Sequence, residues 1–290
     1  MFKVPEIFKT KNKTLSFELF PPKTDKGYQN LLNTIARLCE LKPDFFSCTY
    51  GAGGGSRDKT LDIVQMIQEK HQTSAVAHLT CVCHTRNEIK SILENIKDRG
   101  ISNVLALRGD PPVDNPDWTP GDENFVFSYE LVAFIRELFG EHFGIGVAGF
   151  PEGHILCPDL NRDARFLKNK INQGADYIIT QLFFDNQVYF DYLNRLQELN
   201  VTARVIPGIL PITNYQGLLK FIHTCGTVLP QKVIDIFEPI QDDPQKTFQA
   251  GLDFAAAQCE ELLAGGAPGL HFYTLNKIEP VKSILAQLHY

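Results

Sequence analysis

No stretch of the 290-residue chain holds the roughly 18 uninterrupted apolar residues that a membrane-spanning helix needs, so none is expected. Cationic excess is also missing. With 28 Lys and Arg against 34 Asp and Glu, the net charge is -6, which argues against a nucleic-acid surface and requires any anionic ligand to be met by local cations. The opening MFKVPEIFKTKNK is too polar for the apolar core of a signal peptide. Solenoid repeats, low-complexity tracts and linkers rich in Gly, Pro or Ser are absent. Seven cysteines, an odd number scattered along the chain, suit a reducing compartment and give no disulfide framework. The expectation is a cytoplasmic protein of one domain over residues 1–290, with 1–13 as an N-terminal extension.

What is present is a chain long enough, and at 43% hydrophobic apolar enough, to bury a full core. Length alone also admits two smaller domains. Short β-branched, apolar or aromatic runs alternate with longer amphipathic segments, as βα units do. The candidate strands are Thr14 to Phe20, Phe45 to Tyr50, Ala75 to Cys81, Asn103 to Gly109, Gly144 to Phe150, Tyr177 to Phe184, Arg204 to Leu210 and Gly269 to Leu275. Leu31, Leu32, Ile35 and Leu38 recur at helical spacing, as do Leu61, Val64 and Ile67, and Ile89, Ile92, Leu93 and Ile96. Eight covered parallel strands close most economically into a (β/α)8 barrel, whereas a doubly wound open sheet usually has five or six. The predicted fold is therefore an α/β TIM barrel. Its longest structureless stretch, Asp110 to Asn124 with four prolines, follows the fourth strand on the active-site side.

In such a barrel, chemistry sits at the C-terminal ends of the strands. Alternation in LSFELF puts Ser16, Glu18 and Phe20 on one face and directs Glu18 toward the interior. Desolvation raises a carboxyl pKa, which makes Glu18 a candidate general acid; a buried ion pair with a lysine or arginine is the structural alternative. The other strand ends carry Thr49, His78 with Thr80, Arg108 with Asp110, Gln181 with Asp185, and Tyr273 with Asn276. Singly, each reads as a satisfied structural hydrogen bond or a loop cap. Together they make a polar rim that packing does not explain.

Two motifs point elsewhere and fail. GAGGGSRD, Gly51 to Asp58, has Ser56 where a dinucleotide fingerprint needs its third glycine, follows the second strand, and lacks the phosphate-loop lysine. It reads as a tight turn with Asp58 near a helix start. Cys81, Cys83 and His84, with His78 nearby, lack a second cluster to complete a metal site, and buried structural thiols are the simpler reading.

LSFELFPPKT, SCTYGAGG, AHLTC, LALRGDPP, FPEGH, TQLFFD, IPGILPI and HFYTLNK, in this order across nearly the whole chain, resemble the methylenetetrahydrofolate reductase family. The resemblance implies a bacterial-type catalytic barrel without a further regulatory domain. It also implies reduction of 5,10-methylenetetrahydrofolate to 5-methyltetrahydrofolate by ping-pong transfer through FAD from NADH or NADPH, supplying methyl groups for methionine synthesis. Under it, Glu18 protonates the folate, and Asp110 lies between flavin and pterin. Gln181, Phe221, Tyr273 and Lys277 meet the substrate. FAD is held by Thr49, Tyr50, His78, Arg108, Gly109, Asp110, Ser128, Phe150, His154, Asp163, Phe166, Asn169 and Lys170. Asp163, Phe166 and Lys170, at i, i+3 and i+7, share one helix face.

The chain departs from the family pattern at Phe150 in place of tyrosine, Asn169 in place of arginine, Gly217 in place of glutamine and Lys277 in place of arginine. These alter the grip on FAD and folate, since lysine offers a point charge where arginine offers a fork. The resemblance further implies a homo-oligomer. Two other classes are alternatives: a flavin-free pterin-binding barrel of methyltransferase type, which a flavin spectrum separates, and a non-catalytic folate- or flavin-binding module, for which an interior glutamate has no use.

Overall fold

A computed structural model describes residues 2–50, 57–111, 115 and 117–288. The chain opens with α1 (Val4–Thr10) and continues as β1 (Thr14–Leu19), α2 (Asp25–Cys39), β2 (Phe45–Cys48), α3 (Arg57–His71), β3 (Ser74–Thr80), α4 (Arg86–Asp98), β4 (Asn103–Leu107), α5 (Ser128–Phe139), β5 (Gly144–Gly149), α6 (Leu160–Asn172), β6 (Tyr177–Thr180), α7 (Asn186–Glu198), β7 (Arg204–Ile206), β8 (Gly208–Ile209), α8 (Tyr215–Cys225), α9 (Gln231–Phe237), α10 (Pro244–Ala264), β9 (Gly269–Tyr273) and α11 (Ile278–Gln287). Every strand pairing is parallel, in the order β7-β6-β5-β4-β3-β2-β1-β9-β8.

The nine strands are a (β/α)8 barrel with its seventh strand broken. Pro207 has no N–H for the ladder, so Arg204–Ile206 pairs with β6 and Gly208–Ile209 pairs with β9. The two halves join the ends of the strand order and close the ring. His271 N–H donates to the Pro207 carbonyl at 3.0 Å, and Gly208 N–H to Thr180 Oγ1 at 2.9 Å, which carries the junction across the break.

Register separates two apolar cores. Phe45, Val76, Leu105, Tyr177, Ile179 and Ile206 fill the barrel interior. Gly146 is bare there because a Cβ would enter the Tyr177 ring. A second core joins the outer strand faces to the helices, taking Leu31, Ile35 and Leu38 from α2, Leu61, Val64 and Ile67 from α3, and Ile89, Ile92, Leu93 and Ile96 from α4. Local chemistry starts these helices. In α4, Thr85 Oγ1 accepts from Glu88 N–H while Glu88 Oε2 accepts from Thr85 N–H, and in α6, Asp159 accepts from Asn161 and Arg162.

Within the expected N-terminal extension, Val4–Thr10 form α1. Val4 is fully buried and donates to Asn103 Oδ1 at 2.8 Å, Phe8 meets the edge of Tyr177, and Arg204 donates to the Phe8 carbonyl at 2.7 Å, so α1 plugs the N-terminal end of the barrel. Several strands also stop earlier than their apolar runs. Tyr177 to Phe184 pairs only as far as Thr180, and Leu182 and Phe184 leave the ladder to pack with Tyr215, Leu218 and Phe237 of α8 and α9.

Candidate active site

The interior residues of β9, β1, β2 and β3 turn polar toward their C-terminal ends. Ser16 pairs with His271 and Glu18 with Tyr273 across β1 and β9, and Glu18 pairs with Ser47 across β1 and β2, so all five face inward. Glu18 is 7% exposed. Its Oε2 lies 3.5 Å from His78 Nε2 and 3.7 Å from His271 Nε2, and among the described residues these imidazoles are the ionisable partners within 4.0 Å. Among the described residues, the lysine or arginine of the structural alternative is not within that reach.

Both imidazoles are buried, but they differ in partnering. His271 Nδ1 lies 2.8 Å from Ser16 Oγ, and Ser16 Oγ donates to the Leu270 carbonyl at 3.3 Å. With the hydroxyl proton on that carbonyl, Nδ1 is the donor and the bare Nε2 faces Glu18 and, at 3.5 Å, Ser47 Oγ. Among the described residues, His78 Nε2 has no hydrogen-bond partner. Burial pushes the His78 imidazolium down to about 4, against the pull of Glu18 and with a smaller push from His271, so His78 is neutral near pH 7. Tyr273 bridges the mouth, donating to the Thr180 carbonyl at 2.6 Å. Its phenol is raised by burial first, then by Glu18 and Cys225.

A second polar group lies around the ends of β4 and β5. Arg108 Nε donates to the Val126 carbonyl at 3.3 Å. Gly109 follows at φ +83°, where a Cβ would also strike Val82 and Thr80, so glycine is required. Asp110 is exposed. His154 lies within electrostatic reach of Lys170, Arg108 and Asp110, and burial is the largest cause of its lowered pKa. Across from it, α6 presents Asp163, Phe166 and Lys170 on one face. Burial pushes Asp163 up to about 6, with Lys170 and the His154 N–H pulling the other way. Lys170 keeps part of its stem exposed, yet its ammonium donates to the Ala148 carbonyl at 2.9 Å and is pushed down to about 8 by burial, with Asp163 opposing. Each charge offsets part of the other's desolvation.

Beside this pair, Phe127 stacks on both Phe166 and Tyr129 with centroids 5.2 Å apart, and Phe127 is 37% exposed. That leaves an open aromatic face. Phe150 receives the Lys170 ammonium over its ring at 5.6 Å and meets the edge of His154.

The remaining predicted residues are less gathered. Tyr50 pairs with His84 at 3.3 Å, the Thr49 carbonyl accepts from Thr60, and Ser128 is buried as the first residue of α5. Gln181 turns its Oε1 back to the Leu182 N–H, and Phe221 is half-buried against the cluster under α8. Asn169 and Lys277 are exposed, and the Gly217 N–H is taken by the Asn214 cap. The segment Gly51 to Ser56 and part of the proline-rich loop lie outside the described residues. The end of that loop is tied down, with Asn124 Nδ2 donating to the His84 carbonyl at 2.9 Å.

Sequence reasoning missed His271, whose signal was its placement two residues before Tyr273 on the same strand face. It also missed Cys225 on α8, whose thiol feels Asp110 and Glu18 and is pushed up to about 11, chiefly by burial. Of the two thiols read as buried, Cys81 is buried but Cys83 is exposed at φ +59°. Cys39, Cys48, Cys81, Cys157, Cys225 and Cys259 are free thiols, and among the described residues no cluster of His, Cys, Asp and Glu has the geometry for a metal ion. No described helix is long and apolar enough to cross a membrane.

A closed parallel barrel with a buried carboxyl and cationic side chains at its mouth is a (β/α)8 protein, a class whose ligands commonly sit at the C-terminal ends of the strands. The model of the methylenetetrahydrofolate reductase family matches residues 3–289, and the chain belongs to that family. It is 37% identical over 295 residues to methylenetetrahydrofolate reductase (NADH) 1 of Arabidopsis thaliana, covering 99% of this chain and 50% of that protein. It is 36% identical over 266 residues to 5,10-methylenetetrahydrofolate reductase of Salmonella typhimurium, covering 91% of this chain and 87% of that protein. The chain thus spans about half the length of the plant relative and most of the bacterial one. A solved structure described as an uncharacterized protein from Clostridium thermocellum that binds two copies of 5-methyl-5,6,7,8-tetrahydrofolic acid shares the fold, with a TM-score of 0.65, 16% identity and 97% and 95% of the two chains covered.

Proposed function

We propose that this chain is a cytoplasmic catalytic barrel, one domain over residues 1–290, that reduces 5,10-methylenetetrahydrofolate to 5-methyltetrahydrofolate with FAD and NADH or NADPH. The observation that carries the reading is Glu18, 7% exposed at the C-terminal end of β1 and faced by two imidazoles instead of a cation. A buried carboxyl outside an ion pair is costly, and a role in proton transfer accounts for it. A binding module or a barrel that only holds a pterin has no use for it. NADH appears in the name of the plant relative.

The residues present fit a flavin dinucleotide. Its phosphates require cations, and Arg108 and Lys170 supply them around His154. Its ribose and adenine require acceptors and an apolar face, which Asp163 and the Phe127–Phe166 stack offer. The ring requires hydrogen-bonding groups at its polar edge, and the orphaned His78 Nε2 is one buried nitrogen in need of a partner. Thr49, Tyr50, Gly109, Asp110, Ser128, Phe150 and Asn169 complete the proposed set. When bound, FAD supplies the two-electron link between nicotinamide and folate, which makes the kinetics ping-pong.

The chain's own groups do the rest. Glu18 delivers a proton to the folate's bridged ring, so that it opens to an iminium cation. Asp110 places a fixed negative charge near that cation, and Gln181, Phe221, Tyr273 and Lys277 orient the folate. The test is anaerobic mixing of the purified protein, first with NADH or NADPH and then with methylenetetrahydrofolate. Bleaching of a flavin absorbance by the first and its recovery with the second is the expected result. A protein that takes up no flavin, or whose reduced flavin ignores the folate, contradicts the proposal.

A further inference from the structure

The β1–β9 ladder ends at the pair Glu18–Tyr273, but side chains from the turn after β9 carry the pairing two residues further. Thr274, 4% exposed, donates from Oγ1 to the Glu18 carbonyl at 2.6 Å. Asn276 then brackets Phe20: its Oδ1 accepts from the Phe20 N–H at 2.9 Å and its Nδ2 donates to the Phe20 carbonyl at 2.8 Å. The carboxamide takes the place of a backbone peptide group. A further bond, from the Asn276 N–H to Thr274 Oγ1 at 3.1 Å, makes one unit of the two side chains.

Asn276 reaches this position because the turn passes through two successive left-handed residues, Leu275 at φ +46° and Asn276 at φ +57°. Asparagine tolerates that region, and leucine enters it only with strain. Leu275 is also 40% exposed, so packing does not repay its strain. A strained turn kept beside a candidate acid is a reason to look for a role in function.

We propose that Asn276 is a positioning residue for Glu18, locking the end of β1 to the turn after β9 and so fixing the height of the carboxyl at the barrel mouth. This rests on the reading of Glu18 as the proton donor. The chemistry selects asparagine: aspartate keeps the acceptor for the Phe20 N–H and loses the donor, while glycine keeps the left-handed backbone and loses both.

The test uses the FAD-loaded protein as Asn276→Gly and Asn276→Asp, with Glu18→Gln in parallel. Each is reduced anaerobically with NAD(P)H and mixed with methylenetetrahydrofolate. For Asn276→Gly, the rate constant of the folate half-reaction at saturating folate should fall on the order of 10- to 100-fold. Asn276→Asp should fall less. Flavin reduction and the folate concentration giving half the maximal rate should stay unchanged, and amide exchange at Phe20 should accelerate. Equal slowing of both half-reactions, or an unslowed folate step despite faster exchange at Phe20, overturns the proposal. Loss of the folate step in Glu18→Gln alone overturns the clamp and leaves the functional reading standing, whereas an active Glu18→Gln removes both.

Discussion

The two carboxyls buried near the mouth, Glu18 in the barrel and Asp163 on α6, are equally hidden at 7% exposure, but their company differs. Asp163 has Lys170 to offset its desolvation, and the pair shares the cost, with one group raised to about 6 and the other lowered to about 8. Glu18 has two imidazoles, one of them held neutral by burial. An ammonium beside a carboxyl fixes charge, which suits a grip on a ligand. A neutral imidazole leaves a proton free to move, which suits chemistry. Burial alone does not separate a binding carboxyl from a reacting one; the partner does.

The largest expected effect tests the reacting side of that contrast. Glu18→Gln keeps the shape and removes the acid, so turnover with methylenetetrahydrofolate should fall about 100- to 10,000-fold, measured as steady-state kcat. Survival of most of the activity would place Glu18 with the structural carboxyls.

Lys170→Gln tests the gripping side. Removing a charge-assisted partner should weaken FAD binding roughly 10- to 100-fold, read from the fluorescence of released FAD. The pH dependence follows from the same group. The ammonium of the free protein is charged below about 8 and lost above it, so FAD affinity should decline as pH rises through that value. Affinity flat from pH 7 to 9 would remove Lys170 from the cofactor's surroundings.

A smaller effect belongs to Asp110, which is exposed and acts at a distance. Asp110→Asn should ease flavin reduction, moving the midpoint potential upward by about 30 mV for each tenfold change in the two-electron equilibrium. An unchanged or lower potential would mean that its charge does not reach the ring.

The smallest effect is on stability. Glu152 accepts from the Val228 N–H at 3.2 Å and is pushed up to about 7, chiefly by burial and also by Asp185. A carboxyl raised on folding binds more protons folded than unfolded, so stability is lost as pH rises from about 4.5 to 7. Glu152→Gln should therefore leave Tm unchanged at pH 4.5 and raise it at pH 8. After discounting for partial exposure the gain is about 1 kcal/mol, or roughly 2–4 °C. Equal Tm at both pH values in the variant and the parent would contradict the assignment.

The barrel itself was legible in the sequence because its signals are local. Runs such as Val104 to Leu107 and stripes such as Ile89, Ile92, Leu93 and Ile96 need no distant information. The break at Pro207 was not read, although the missing N–H was in view. Strand ends were set too late wherever an apolar run continued into a separate cluster, as Leu182 and Phe184 do under α8 and α9. Alternation was enough to send Glu18 inward. It did not supply the partner, because His271 lies 253 residues away and reaches Glu18 only through the β1–β9 register. The proposed grip residues of α6 were the least legible: only the resemblance singled out Asp163 and Lys170, because two charges on an amphipathic helix carry no local signal of burial. The clamp at Asn276 was seen only as rim polarity, since its meaning depends on two left-handed residues that sequence does not display.

As the proposed proton donor, Glu18 serves one half-reaction and not the other. Anaerobic stopped-flow of Glu18→Gln measures this directly. Flavin reduction by NADH or NADPH should proceed at close to the parental rate, while reoxidation by methylenetetrahydrofolate should slow by about 100- to 10,000-fold. Equal loss in both halves would show that Glu18 holds the barrel together instead of moving a proton.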